Sequence, residues 1–128
     1  MAGNARSGND AGTPWPAEIR VFKAAAKLEV DFTDGSKFSF PAELLRVESP
    51  SAEVQGHGAH KTILAGRRYV KISGVEEVGN YAIRILFDDG HDTGIYSWAY
   101  LHDLGTRQER IWDEYLMALG DRGLSRDP

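Results

Sequence analysis

The chain has 128 residues, 41% of them hydrophobic and 27% charged, with a formal net charge of −4 and no cysteine. Those proportions suit a single globular domain, and the missing thiols exclude disulfides, thiolate zinc sites, cysteine-ligated iron–sulfur clusters and cysteine nucleophiles. A negative balance lacks the cationic footprint that binding to nucleic-acid phosphates needs, and no run approaches the roughly 20 apolar residues of a membrane span.

Residues 1–14, MAGNARSGNDAGTP, are small, polar and glycine-rich. Such a stretch buries too little to offset its ordering entropy, so a disordered lead is expected. It has no apolar segment of the kind a secretory signal carries, and together with the absence of cysteine this fits a cytoplasmic protein. Regular structure starts at Glu18–Phe22, where Ile19 and Val21 alternate with Glu18 and Arg20. Leu28, Val30 and Phe32 continue the period of two, Thr33-Asp34-Gly35 turns the chain, and Phe38 and Phe40 resume the alternation, which together predict a β-hairpin. Pro41 then opens a helical turn through Leu45, as proline does at a first helical position.

The next stretch, RVESPSAEVQGHGAH at 46–60, has neither strand nor helix periodicity. The basic residues after it, Lys61, Arg67, Arg68 and Lys71, read as a solvated loop and strand edge. Tyr69 to Val78 predicts a strand with a bulge or twist at Gly74, and Gly79-Asn80 a hairpin turn. Ile83, Ile85 and Phe87 form the return strand, and Asp88-Asp89-Gly90 turns again. Ile95 begins an exit that Ser97 ends as an N-cap for Trp98-Ala99-Tyr100-Leu101, with Gly105 placed as a stop. In the final helix Thr106-Arg107-Gln108-Glu109 reads as a capping box. Ile111, Trp112, Tyr115, Leu116 and Leu119 line one stripe, and Gly120 closes the helix. The folded domain is expected over 15–120, with 121–128 a disordered tail.

The two halves echo each other. Phe32-Thr33-Asp34-Gly35 corresponds to Phe87-Asp88-Asp89-Gly90, and Phe40–Leu45 to Tyr96–Leu101; an internal duplication and convergent use of a common motif both account for this. The fold class is α+β: a small antiparallel sheet built from hairpins, short helices at its ends, and a C-terminal amphipathic helix whose Trp112 stripe packs on the sheet.

No catalytic signature is present. There is no Gly-x-Ser-x-Gly elbow, phosphate-binding glycine loop or dinucleotide fingerprint, and Glu76 and Glu77, adjacent in a strand, point to opposite faces. Histidines are the sharper question. His57-Gly58-Ala59-His60 puts two imidazoles three apart on a glycine-containing loop, with His91 the natural third ligand and Glu53 or Asp92 in reserve. Solvent-facing loop histidines with no ligand role account for the same spacing. His102 lies on a short amphipathic helix, which suits a surface or packing role.

The residues Leu45-Arg46, Ser49-Pro50-Ser51-Ala52-Glu53-Val54 and Gly56-His57-Gly58, followed by Phe87-Asp88-Asp89-Gly90-His91, Gly94-Ile95-Tyr96-Ser97-Trp98 and Tyr100-Leu101, resemble the bacterial DUF971 family. That family is similar to the N-terminal domain of gamma-butyrobetaine hydroxylase, and the resemblance covers about residues 17–105. In the hydroxylases the matching loop holds zinc through a Cys-x-Cys-x-x-Cys knuckle, and a histidine after the second hairpin turn completes the site. The resemblance places those cysteines at Ser49, Ser51 and Val54 and the histidine at His91, so it implies that three of four ligands are gone and the structural zinc is absent. It also implies that His91 lies near Ser49 and Ser51, with hydrogen bonds holding the loop.

The oxygenase chemistry of the hydroxylases belongs to a separate larger domain, so the resemblance implies a non-catalytic accessory or interaction domain with no expected cofactor. Similar domains attached to P-loop carriers of iron–sulfur clusters direct the expectation toward a protein partner in iron or iron–sulfur metabolism, either a cluster carrier or an oxygenase-type protein, with no nucleic acid and no membrane. The loop 46–60 and the second turn at 88–92 would form the binding face, with Arg46, Ser49, Ser51, Glu53, His57 and His91 as its candidate residues. The alternative is a protein that binds a divalent metal through His57, His60 and His91.

Overall fold

The computed structural model describes residues 14–51 and 62–128. Strands β1 (Pro16–Phe22), β2 (Lys27–Phe32) and β3 (Lys37–Pro41) form one antiparallel sheet in sequence order, and α1 (Ala42–Val47) follows at once. Strands β4 (Ile72–Val78), β5 (Ala82–Phe87) and β6 (Ile95–Ser97) form a second, followed by α2 (Trp98–Thr106) and α3 (Gln108–Asp121). The architecture is the expected α+β, with the hairpins divided between two three-stranded sheets.

The period of two decides which faces meet. Register pairs Val30 with Phe38 and Leu28 with Phe40, and Leu28, Val30 and Phe40 are fully buried. From the second sheet Ile72, Ile83, Ile85, Phe87 and Tyr96 join the same core. Each fully buried Leu or Ile contributes roughly 2 kcal/mol. The outer face of the first sheet carries charge instead, with Arg20 reaching across to both Glu29 and Asp31. The register slips between Ile72 and Gly74, the bulge that Gly74 foretold, although β4 begins at Ile72 and not at Tyr69.

Helix ends depart from expectation in three places. Gly105 is no stop: α2 runs through it, because a side chain there would run into the Phe38 ring. Thr106 does not cap α3; its hydroxyl donates to the His102 carbonyl at 2.8 Å. The two helices nearly join at Arg107, whose amide bonds Asp103 and whose carbonyl receives Ile111, and α3 starts there with no side-chain cap. Gly120 lies inside α3. The stop is Gly123 at φ 65, where Gly123 N–H donates to Gly120 and Leu124 N–H to Leu119 at 2.9 Å, the Schellman pattern.

Helix α3 divides its stripe: Ile111 and Trp112 pack against the main core, and the C-terminal part turns to a smaller cluster. Tyr115 and Leu119 pack with Val47 at the end of α1 and with Ile63, Leu64 and Ala65, while Leu116 is 38% exposed. Residues 124–128, expected in a disordered tail, run back along 66–68: Gly66 N–H donates to Ser125 at 2.9 Å and Arg68 N–H to Arg126 at 3.0 Å.

The echo between the halves extends to individual hydrogen bonds. Gly35 and Gly90 sit at φ 92 and φ 91, a left-handed conformation that glycine adopts without steric cost. Phe32 exchanges bonds with Gly35 and Ser36 as Phe87 does with Gly90 and His91, and the first helical amides, Ala42 and Trp98, donate to Ala26 and Tyr81 at 2.8 and 3.0 Å. The chain therefore repeats one β-β-β-α unit.

Candidate functional site

Each helix reaches the Asp-Gly turn of the other half. From α1, Arg46 Nε donates to Asp89 Oδ2 at 2.7 Å. From α2, His102 Nε2 lies 2.9 Å from Asp34 Oδ2 and 3.2 Å from Ser36 Oγ, its ring edge-on to Phe32 and Phe38. Arg46 and His102 occupy matching positions of the repeat. His102 therefore takes the packing role, and the two aspartates lock the halves together. Both also fold their own turns: Asp34 Oδ1 accepts the Ser36 amide at 2.9 Å and Asp89 Oδ1 the His91 amide at 3.1 Å.

The second corner is the richer one. His91 Nε2 lies 2.9 Å from Ser49 Oγ and 3.4 Å from Ser51 Oγ, and the Ser49 hydroxyl donates to Ser51 at 3.3 Å. The expected proximity of His91 to both serines is thus a feature of the fold. Tyr96 donates to the Leu45 carbonyl at 2.5 Å, and Tyr100 donates to the Glu48 carbonyl, so two phenols pin the exit of α1. Burial pushes the Tyr96 phenol well above its ordinary pKa, with a Ser49 hydrogen bond opposing. Gly94 completes the packing, since a Cβ there would overlap Ser49 Oγ.

Electrostatics favour an ionised Asp89. Burial works to raise its pKa, but the His91 amide and the Arg46 guanidinium outweigh it and hold the carboxyl below the usual range. Arg67 Nε lies a further 3.1 Å from Oδ2. Outside this lock a shallow concavity of about 320 Å³ is lined by Arg46, Arg67 and residues 89–93. A second, of about 340 Å³, lies between the end of α1, residues 62–63, α2 and α3, with Leu104 and Ile111 in its floor and Glu48, Asp103 and Glu114 at its edge.

Ser49 and His91 have the separation of a nucleophile and its base. Ser49 is fully buried, however, and Asp89 accepts from the His91 main chain and not from its ring. In this conformation the Ser49 hydroxyl is enclosed, and the His91 ring has no carboxylate from Asp89 to orient it. Of the expected face residues, Arg46, Ser49 and Ser51 are buried and His91 is half-buried, so the accessible part of this corner is Arg67 and residues 90–93. Glu53, Val54, His57 and His60 fall outside the described residues. The expected functional face included the 88–92 turn but gave Asp89 no partner, and it left out Gly94, Tyr96 and Arg67. The repeat itself, which aligns Arg46 with His102, was the signal for the Asp89 lock.

The family described as gamma-butyrobetaine hydroxylase-like, N-terminal, matches residues 19–102. The chain belongs to that family. Two similar structures, both NMR solution structures, are 44% and 41% identical, cover 91% and 96% of this chain and 93% and 92% of their own, and have TM-scores of 0.80 and 0.79. A crystal structure from Acidithiobacillus ferrooxidans ATCC 23270, a DUF971-family protein of unknown function, is 39% identical, covers 70% of this chain and 91% of its own, and has a TM-score of 0.60. Among curated proteins nothing matches.

In this gamma-butyrobetaine hydroxylase-like domain the zinc pattern that the resemblance implied meets a poor donor set. Two of the four mapped positions are the hydroxyls of Ser49 and Ser51, against one imidazole at His91. Tetrahedral zinc sites are built from thiolates, imidazoles and carboxylates, and these hydroxyls already bond each other and His91. Among the described residues the donors at this corner do not fit zinc. Among the described residues no helix is long and apolar enough to cross a membrane.

Proposed function

We propose that this domain is a non-catalytic, cytoplasmic interaction module that recognises a protein partner, in the class of iron–sulfur cluster carriers or oxygenase-type proteins, through the corner around residues 89–93. The observation that carries this reading is the closed Ser49–Ser51–His91 contact, which keeps the turn rigid while leaving Asp92 and Thr93 exposed. An exposed turn braced by a partly buried ion pair suits recognition with little ordering cost.

The test is affinity capture from the native cell with the full chain and with an Asp92→Arg/Thr93→Arg variant of unchanged melting temperature. A partner recovered by the wild type and lost by the variant supports the reading; an identical set of partners from both contradicts it. The metal-binding alternative through His57, His60 and His91 is separated by metal analysis of untagged protein beside a His57→Ala/His60→Ala variant.

A further inference from the structure

Away from that corner, one carboxylate is buried on the opposite end of α1. Glu43 is 6% exposed and is met by a two-pronged guanidinium: Arg126 Nε donates to Oε2 at 2.9 Å and Nη2 to Oε1 at 2.7 Å. The same guanidinium lies 5.2 Å from the Trp112 ring centroid. Fork-on-carboxylate geometry with an aromatic wall selects arginine over lysine. The rest of the segment that brings Arg126 there is held lightly. Residues 124, 125, 127 and 128 are exposed, and the backbone is caught by two hydrogen bonds from the Gly66 and Arg68 amides. Gly66 is built for that approach, since a Cβ on it would stand 3.3 Å from Pro128 Cα.

We propose that Glu43, Trp112 and the 66–68 edge form an arginine-recognition seat that Arg126 fills in cis, and that an extended segment of a partner protein carrying an arginine followed by an acidic residue takes the same seat in trans. A buried carboxylate needs a cation beside it, and the Arg68–Asp127 pair at the rim accounts for the acidic residue. The seat uses none of residues 89–93, although Arg67, which faces that corner, lies between Gly66 and Arg68.

The test uses the full chain with Arg126→Ala, and a synthetic peptide of the sequence of residues 121–128 as probe, followed through the Trp112 indole N–H by NMR. The peptide is expected to shift that signal saturably in the millimolar range. It should bind wild type at least tenfold more weakly, because Arg126 competes, and should leave Arg126→Ala/Glu43→Gln unmoved. The same peptide with citrulline in place of arginine should not bind. If Arg126→Ala does not fold, Arg126→Lys serves in the same titration, since lysine loses the fork. A folded variant whose Trp112 signal ignores the peptide, equal binding to wild type, or equal binding of the citrulline peptide overturns the proposal. A wild-type dimer that dissociates in the variant also overturns it, by making the occupant a second copy.

Discussion

Replacing Asp89 separates the two duties assigned to it. Asp89→Asn keeps an acceptor for the His91 amide but removes the charge; Asp89→Ala removes both. The Arg46 side chain is 3% exposed and that of Asp89 24%. Breaking a fully buried pair costs about 3–5 kcal/mol, and the partial exposure of Asp89 reduces this to about 2 kcal/mol for the asparagine variant. Loss of the turn acceptor adds about 1 kcal/mol in the alanine variant. For a domain of this size the larger loss corresponds to a melting temperature lower by on the order of 10 °C. Urea denaturation of the three proteins at pH 7 measures both steps. Because the folded pKa of Asp89 lies below its ordinary value, its contribution is present above about pH 4 and is lost as pH falls through the folded pKa. Asp89→Asn should therefore flatten part of the acid limb. An alanine variant within about 0.5 kcal/mol of wild type, well under the cost of breaking a buried pair, refutes the lock.

Other substitutions probe neighbouring parts of the account. Gly94→Ala should cost about 1–3 kcal/mol by overpacking and should shift the His91 ring signals in an NMR spectrum, since the new methyl displaces Ser49. Gly123→Ala should cost about 1 kcal/mol, because residue 123 sits in the left-handed region, and calorimetry gives the value. Asp34 is pulled down to about 2, first by the Ser36 hydroxyl and amide and then by His102. Its contribution is thus fully present above its unfolded pKa and lost as pH falls toward 2, so Asp34→Asn should lose that acid dependence while wild type keeps it.

Local chemistry was legible in the sequence where one residue decides the geometry. The Asp-Gly turns, the bulge at Gly74 and the Ser97 cap, whose oxygen accepts the Tyr100 amide at 3.0 Å, could all be read from residue type and spacing. Helix ends were not, because α3 starts directly from the end of α2, where Thr106 turns its hydroxyl back to the His102 carbonyl. The order of residues 124–128 was hidden for a related reason: one long-range ion pair, Arg126 with Glu43, holds a segment whose composition gives no sign of it. Ser49 and His91 stand 42 positions apart, and no periodicity links them. Only the family resemblance placed them together. The burial of Arg46 and Ser49 could not be read from residue types that usually face solvent.

Hydrogen bonds and the Arg46–Asp89 pair hold this corner together without a metal ion. Thermal melting of the untagged full chain, with and without one equivalent of Zn²⁺ or Fe²⁺, tests it most directly. The account predicts coincident melting curves. A metal-dependent rise in melting temperature that His91→Ala abolishes would contradict it.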